Sequence, residues 1–100
     1  MSEYEIDLYR IIGEMIREIR LSKGMSLEEV SNELGFTRKT LQRYETGEHK
    51  IKIGTIIKLS NILGFNYDKF MSDAKLRLVG KEPLVREQTY YADEETRKIA

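Results

Sequence analysis

The sequence predicts an all-α domain of five helices, and three observations carry that prediction. A glycine, one large apolar residue and a helix-capping side chain occur in succession three times, at Gly24-Met25-Ser26, Gly35-Phe36-Thr37 and Gly64-Phe65-Asn66. Glycine, lacking a Cβ, ends a helix in the left-handed conformation, and the Ser, Thr or Asn two residues on offers an oxygen to the unpaired N–H groups of the next helix. The apolar residue between them can pack back as a staple, so each triplet reads as a stop and a restart. The one proline, Pro83, lies outside the stretch in which apolar residues recur at three- and four-residue steps, so that stretch is free to be helical throughout.

The elements follow in order. Ile12, Met15, Ile16 and Ile19 give the first helix a core-facing stripe that ends at Gly24. Two starts are open, because Ser2 with Glu5 has capping-box spacing while Asp7 would cap a shorter helix. Leu27, Val30 and Leu34 line the second helix; Leu41 and Tyr44 line the third, which ends at Gly47. Ile53, Ile56, Ile57, Ser60 and Leu63 are expected to form the buried side of the fourth, and a short fifth helix from Asn66 brings Phe70 and Met71 onto the same core. Residues 1–71 thus form a helical domain. Residues 72–100 read as a C-terminal arm: Lys75-Leu76-Arg77-Leu78 alternates like a strand or an extended segment, Pro83 interrupts, and Asp93-Glu94-Glu95-Thr96 resembles the acidic first turn of a helix too short to stand alone.

Composition narrows the function. One hundred residues, 40% of them apolar, make one small domain. The absence of cysteine and the acidic N-terminus without an apolar segment suit an unprocessed cytoplasmic protein, and no run reaches the length of a membrane span. The net charge of zero conceals an uneven distribution: residues 10–81 hold 14 Lys or Arg against 9 Asp or Glu, whereas both ends are acidic.

The interval between the first two triplets leaves only Leu27 to Leu34 for the second helix, followed by a turn too short for an antiparallel return. That is helix-turn-helix spacing. With Leu41 and Tyr44 inward, Arg38, Lys39, Gln42 and Arg43 share the outer face of the third helix. Arg and Lys donate to guanine O6 and N7, Gln bonds adenine bidentately, and an α-helix fits the major groove of DNA. Thr37, as cap, stands where it can meet a phosphate or a thymine methyl, and His49, Lys50 and Lys52 follow in a loop placed to meet the DNA backbone. A polar outer face alone is what any surface helix has, and helix-turn-helix spacing also occurs in bundles that bind nothing. The tight turn, the basic helix start and the basic loop agree with one another, and this conjunction favours DNA binding over a purely structural module.

The segments Ile12-Gly13-Glu14-Met15-Ile16-Arg17-Glu18-Ile19-Arg20, Lys23-Gly24-Met25-Ser26, Glu33-Leu34-Gly35-Phe36-Thr37-Arg38, Arg43-Tyr44-Glu45-Thr46-Gly47 and Leu59-Ser60-Asn61-Ile62-Leu63-Gly64 resemble the XRE family of helix-turn-helix regulators, which includes the phage Cro and repressor proteins. The match runs from about Ile12 to Met71. It implies a five-helix lambda-repressor-like domain that binds double-stranded operator DNA as a homodimer and regulates transcription, most often as a repressor, without a cofactor. It also implies base reading by Arg38, Lys39, Gln42 and Arg43, phosphate contact near Thr37, Thr46 and Lys50, and a structural ion pair between Arg20 and Glu45. Three departures stand out. Leu27 occupies a position where the family commonly has a phosphate-contacting Gln, so that contact is lost or shifted. Ile51-Lys52 replaces the family's Pro-Ser, so Thr55 is a candidate start for the fourth helix. Ser31 replaces a small Ala and calls for a hydrogen bond to a backbone carbonyl one turn earlier.

Other chemistries lack their groups. His49 has no cluster of ligands at metal-binding spacing, Glu28-Glu29 and Glu94-Glu95 are adjacent and so diverge on a helix, and there is neither a glycine-rich phosphate loop nor a nucleophile with a base. An enzyme is therefore not expected. The alternative to an operator-binding regulator is an antitoxin or coregulator that clasps a protein partner through residues 72–100, where Leu76, Leu78, Val79, Leu84, Val85, Tyr90 and Tyr91 have no helix of their own to pack on.

Overall fold

The computed structural model describes residues 2–80. They form α1 (Glu3–Ser22), α2 (Leu27–Leu34), α3 (Arg38–Glu45), α4 (Ile53–Leu63) and α5 (Tyr67–Gly80), with no strand among them. α1 packs on α3 and α5, α2 on α3 and α4, and α4 on α5. Ile11, Ile12, Ile16, Val30, Leu41, Ile56, Leu59, Leu63 and Phe70 meet in the centre.

Capping chemistry decides the boundaries. Ser2 is the N-cap of α1: its Oγ accepts from Glu5 N–H at 3.2 Å while the Glu5 carboxylate accepts from Ser2 N–H at 3.3 Å, so the longer of the two candidate helices forms. Ser26 and Glu29 make the same reciprocal pair at the start of α2, at 3.0 and 2.8 Å. In both boxes the bond from the cap N–H holds the glutamate carboxyl below its ordinary pKa. Gly24, Gly35 and Gly64 are all left-handed, and Met25, Phe36 and Phe65 N–H groups reach back to Arg20, Ser31 and Ser60 carbonyls, the closure that satisfies the last turn of a helix. After the third triplet, Asn66 Oδ1 accepts from Lys69 N–H at 2.8 Å and the Phe65 ring stacks on Phe70 at 4.6 Å, a staple across the start of α5.

Three expectations are corrected. First, α4 begins at Ile53 rather than at Thr55; Lys52 is its N-cap with no side-chain bond, and Thr55 is buried within the first turn. Second, Ile53 and Ile57 are exposed, at 63% and 45%, and the buried face of α4 is Thr55, Ile56, Leu59, Ser60 and Leu63. An isoleucine-rich helix offers two overlapping stripes, and packing against α2 and α5 selects one. Third, α5 is not short: Lys75 to Leu78 are helical, with Ala74 and Leu78 buried against the core one and two turns beyond Phe70. Leu78 therefore belongs to the domain core and not to an arm. The arm from residue 81 onward, including Leu84, Val85, Tyr90, Tyr91 and Asp93 to Thr96, lies outside the described residues.

Candidate nucleic-acid interface

The turn from α2 to α3 consists of Gly35, Phe36 and Thr37. Phe36 folds inward with its ring 6.1 Å from Tyr44, and Thr37 Oγ1 accepts from Thr40 N–H at 3.2 Å, which fixes where α3 begins. Ser31 is buried within α2 and donates to the Glu28 carbonyl at 3.0 Å, the local bond that a buried hydroxyl in a helix requires. The turn is thereby held from both sides.

Leu41 and Glu45 are the buried residues of α3. On the opposite side Arg38, Lys39 and Gln42 are exposed and Arg43 is half-buried, so the structure brings together on one face the four residues singled out for base reading. Arg38 and Gln42 stand one turn apart, as do Lys39 and Arg43, giving two parallel rows of donors at the start of the helix. Thr37 is exposed at the leading end, its hydroxyl 2.9 Å from that of Thr40.

Beyond α3 the loop is shaped by its own hydrogen bonds. Thr46 Oγ1 donates to the Arg43 carbonyl at 3.2 Å and accepts from Glu48 N–H at 3.4 Å, and His49 N–H donates to the same Arg43 carbonyl at 3.2 Å. Ile51 is buried and pins the loop, leaving Thr46, His49, Lys50 and Lys52 exposed. Lys50 does not point freely outward: its Nζ is 3.5 Å from Glu5 Oε2 and 5.6 Å from the Tyr9 ring centroid, both on α1. The pair is half-exposed, and such pairs contribute at most about 1 kcal/mol. A phosphate can therefore compete for this lysine.

The orientation of α3 is set from α1. Arg20 and Glu45, 6% and 5% exposed, form a two-pronged ion pair, Nε to Oε2 at 2.7 Å and Nη2 to Oε1 at 3.0 Å, while Arg20 Nη1 donates to the Met25 carbonyl at 2.8 Å. One guanidinium thus joins α1, the α1–α2 turn and the end of α3. Next to it, Gly13 of α1 lies directly on the Tyr44 and Glu45 carbonyls, where a Cβ has no room. Gly47, left-handed, packs in the same way on the backbone of Arg10. Sequence reasoning gave these two glycines no structural role beyond a helix stop at Gly47; a glycine in mid-helix at Gly13, unfavourable unless a backbone must come close, was the available signal.

A helix-turn-helix whose second helix is braced from behind and presents basic and amide side chains outward defines a class of DNA-binding domain. The helix-turn-helix family model matches residues 16–70, and the chain belongs to the XRE family of helix-turn-helix transcriptional regulators. It is 30% identical to the SPbeta prophage-derived HTH-type transcriptional regulator YonR of Bacillus subtilis over 78% of this chain and 84% of that protein. It is 45% identical to an HTH-type transcriptional regulatory protein of Pyrococcus furiosus over 53% of this chain, but spans 17% of that protein's length. The clp gene regulator ClgR of C. glutamicum shares the fold, with a TM-score of 0.61 at 21% identity over 77% of this chain and 95% of that one. Among the described residues no helix is long and apolar enough to cross a membrane.

Proposed function

We propose that the protein is a sequence-specific, non-enzymatic transcriptional repressor of the cytoplasm that reads operator DNA with α3. The observation that carries this reading is the outward set of Arg38, Lys39, Gln42 and Arg43 on a helix braced at its far end by Arg20 and Glu45. Arg38 and Lys39 lead into the major groove, Gln42 and Arg43 follow one turn behind, and Thr37, Thr46, His49, Lys50 and Lys52 meet phosphates on either side. Repression needs nothing more than occupancy of a site that polymerase must use. The prophage origin of the Bacillus relative supports an operator on a mobile element.

Arg38→Ala and Gln42→Ala should each weaken binding to the preferred site by about 1–3 kcal/mol and relax preference at one base position. Lys50→Ala should weaken all sequences alike and make the salt dependence of affinity shallower by about one unit of log–log slope. Titrations on preferred and random duplexes at several salt concentrations check both. Equal losses on the two duplexes for Arg38 and Gln42 would reassign them to the phosphate backbone.

A single recognition helix reads few base pairs, so useful specificity calls for a symmetric dimer on two half-sites. Residues 72–100, apart from the core-facing Ala74 and Leu78 of α5, are the proposed dimer or partner-binding segment, supported within the described residues by Leu76 and Val79, 69% and 46% exposed on α5. In the full chain, Leu76→Glu with Val79→Glu should shift sedimentation from dimer to monomer while leaving helicity unchanged. An unaltered dimer would exclude this face. The antitoxin or coregulator reading uses the same segment, and capture of a protein partner with weak, salt-insensitive DNA binding would favour it.

A further inference from the structure

We infer that Arg17 of α1 is a DNA phosphate contact outside the helix-turn-helix, an inference that rests on the reading of α3 as the recognition helix. An α-helix with its side chains is about 10–12 Å across, close to the width of about 12 Å of the major groove. A helix lying there has a phosphate strand along each edge, and any donor standing beside its exposed face reaches a strand. A surface cleft runs alongside α3 in this position, lined by Gln42 and Thr46 of the helix and its end, Leu27 at the start of α2, and Glu14, Arg17 and Arg20 of α1 with Glu45.

The charges in this cleft are not equivalent. Arg20 and Glu45 neutralise each other through two short bonds and are buried. Leu27 has no side-chain donor, and Thr46, whose hydroxyl proton rests on the Arg43 carbonyl at 3.2 Å, must give up that bond to donate to a phosphate. Arg17 is exposed, and among the described residues no ion pair holds it, in contrast to Arg10, Lys50, Lys69 and Arg77, each of which has a carboxylate partner. It is the one cation on this wall with its fork of donors uncommitted, and a guanidinium suits two phosphate oxygens. Glu14, one turn earlier on the same wall and also exposed, acts in the opposite sense by repelling the strand. The two residues together set the approach of one backbone strand to the side of the recognition helix.

The test is affinity of the full chain for random duplex across a series of salt concentrations, for wild type, Arg17→Gln, Arg17→Lys and Glu14→Gln, with circular dichroism to confirm that each is folded. Arg17→Gln should make the slope of log affinity on log salt shallower by about one, Arg17→Lys should restore it, and Glu14→Gln should tighten binding without changing sequence preference. A wild-type slope in Arg17→Gln, with wild type itself binding in a salt-dependent way, overturns this assignment and leaves α3 as the reader. Absence of salt-dependent binding by wild type overturns both.

Discussion

Replacing Glu45 by Ala is expected to lower the unfolding free energy by about 3–5 kcal/mol, because it strands a buried guanidinium that water cannot reach. Arg20 sits in the interior with three of its donors committed, two to Glu45 and one to the Met25 carbonyl. Truncating either partner removes the Coulomb attraction and keeps the desolvation cost of the other charge. Arg20→Lys should not rescue, since an ammonium cannot bridge both carboxylate oxygens and the Met25 carbonyl with a planar fork. The double variant Arg20→Met with Glu45→Leu should recover most of the loss, because the apolar pair carries no charge to strand. Urea unfolding of the four proteins checks this. A loss below about 1 kcal/mol for Glu45→Ala would show a solvated pair of the surface kind, contrary to the burial found here.

Gly13→Val is the second large effect. The new side chain would be driven into the Tyr44 and Glu45 carbonyls, which are backbone atoms and cannot rotate aside. Overpacking of this kind costs about 1–3 kcal/mol and more where the neighbours are rigid. The only relief is to move α1 away from the end of α3, which lengthens the Arg20–Glu45 bonds nearby. Gly13→Val and Glu45→Ala should therefore combine to less than the sum of their separate effects. DNA affinity should fall further than stability alone predicts, because the helix that enters the groove has changed its angle. Gly54→Ala is the matched control: it lies in α4 with open space around it and should be neutral or stabilising by up to about 1 kcal/mol. Equal stability of Gly13→Val and wild type would contradict the close approach of α1 to α3.

The contrast between these residues shows what was legible in the sequence. The starts and stops of α2 and α3 were, because capping is local: Ser26, Gly35 and Thr37 act on N–H and C=O groups within a few positions. The outer face of α3 followed from the inward position of Leu41. The inner face of α4 was legible only in part: Ile56, Ser60 and Leu63 are buried as expected, but Ile53 and Ile57 carry the same side chain as Ile56, and the choice among the three lies in the helices they meet. The length of α5 was obscured by the alternation at Lys75 to Leu78, although Phe70, Ala74 and Leu78 at steps of four were a helical stripe in plain view. The Arg20–Glu45 pair was reached through the family resemblance, and the residue pattern carries a direct signal for it as well. Arg20 continues the stripe of Ile12 and Ile16, Glu45 continues that of Leu41, and opposite charges at buried positions call for each other. The contact of Lys50 with Glu5 and Tyr9 joins residues far apart in the chain and had no local trace.

The central claim, that α3 reads a sequence, is tested most directly by selecting bound sequences from a random DNA pool with wild type and with Arg38→Ala. Wild type should enrich two related half-sites with centres about one helical turn, roughly 10 base pairs, apart, and Arg38→Ala should lose preference at one position of each half-site while keeping the rest. Enrichment of the same sequence by both proteins, or of no sequence by wild type, would contradict it.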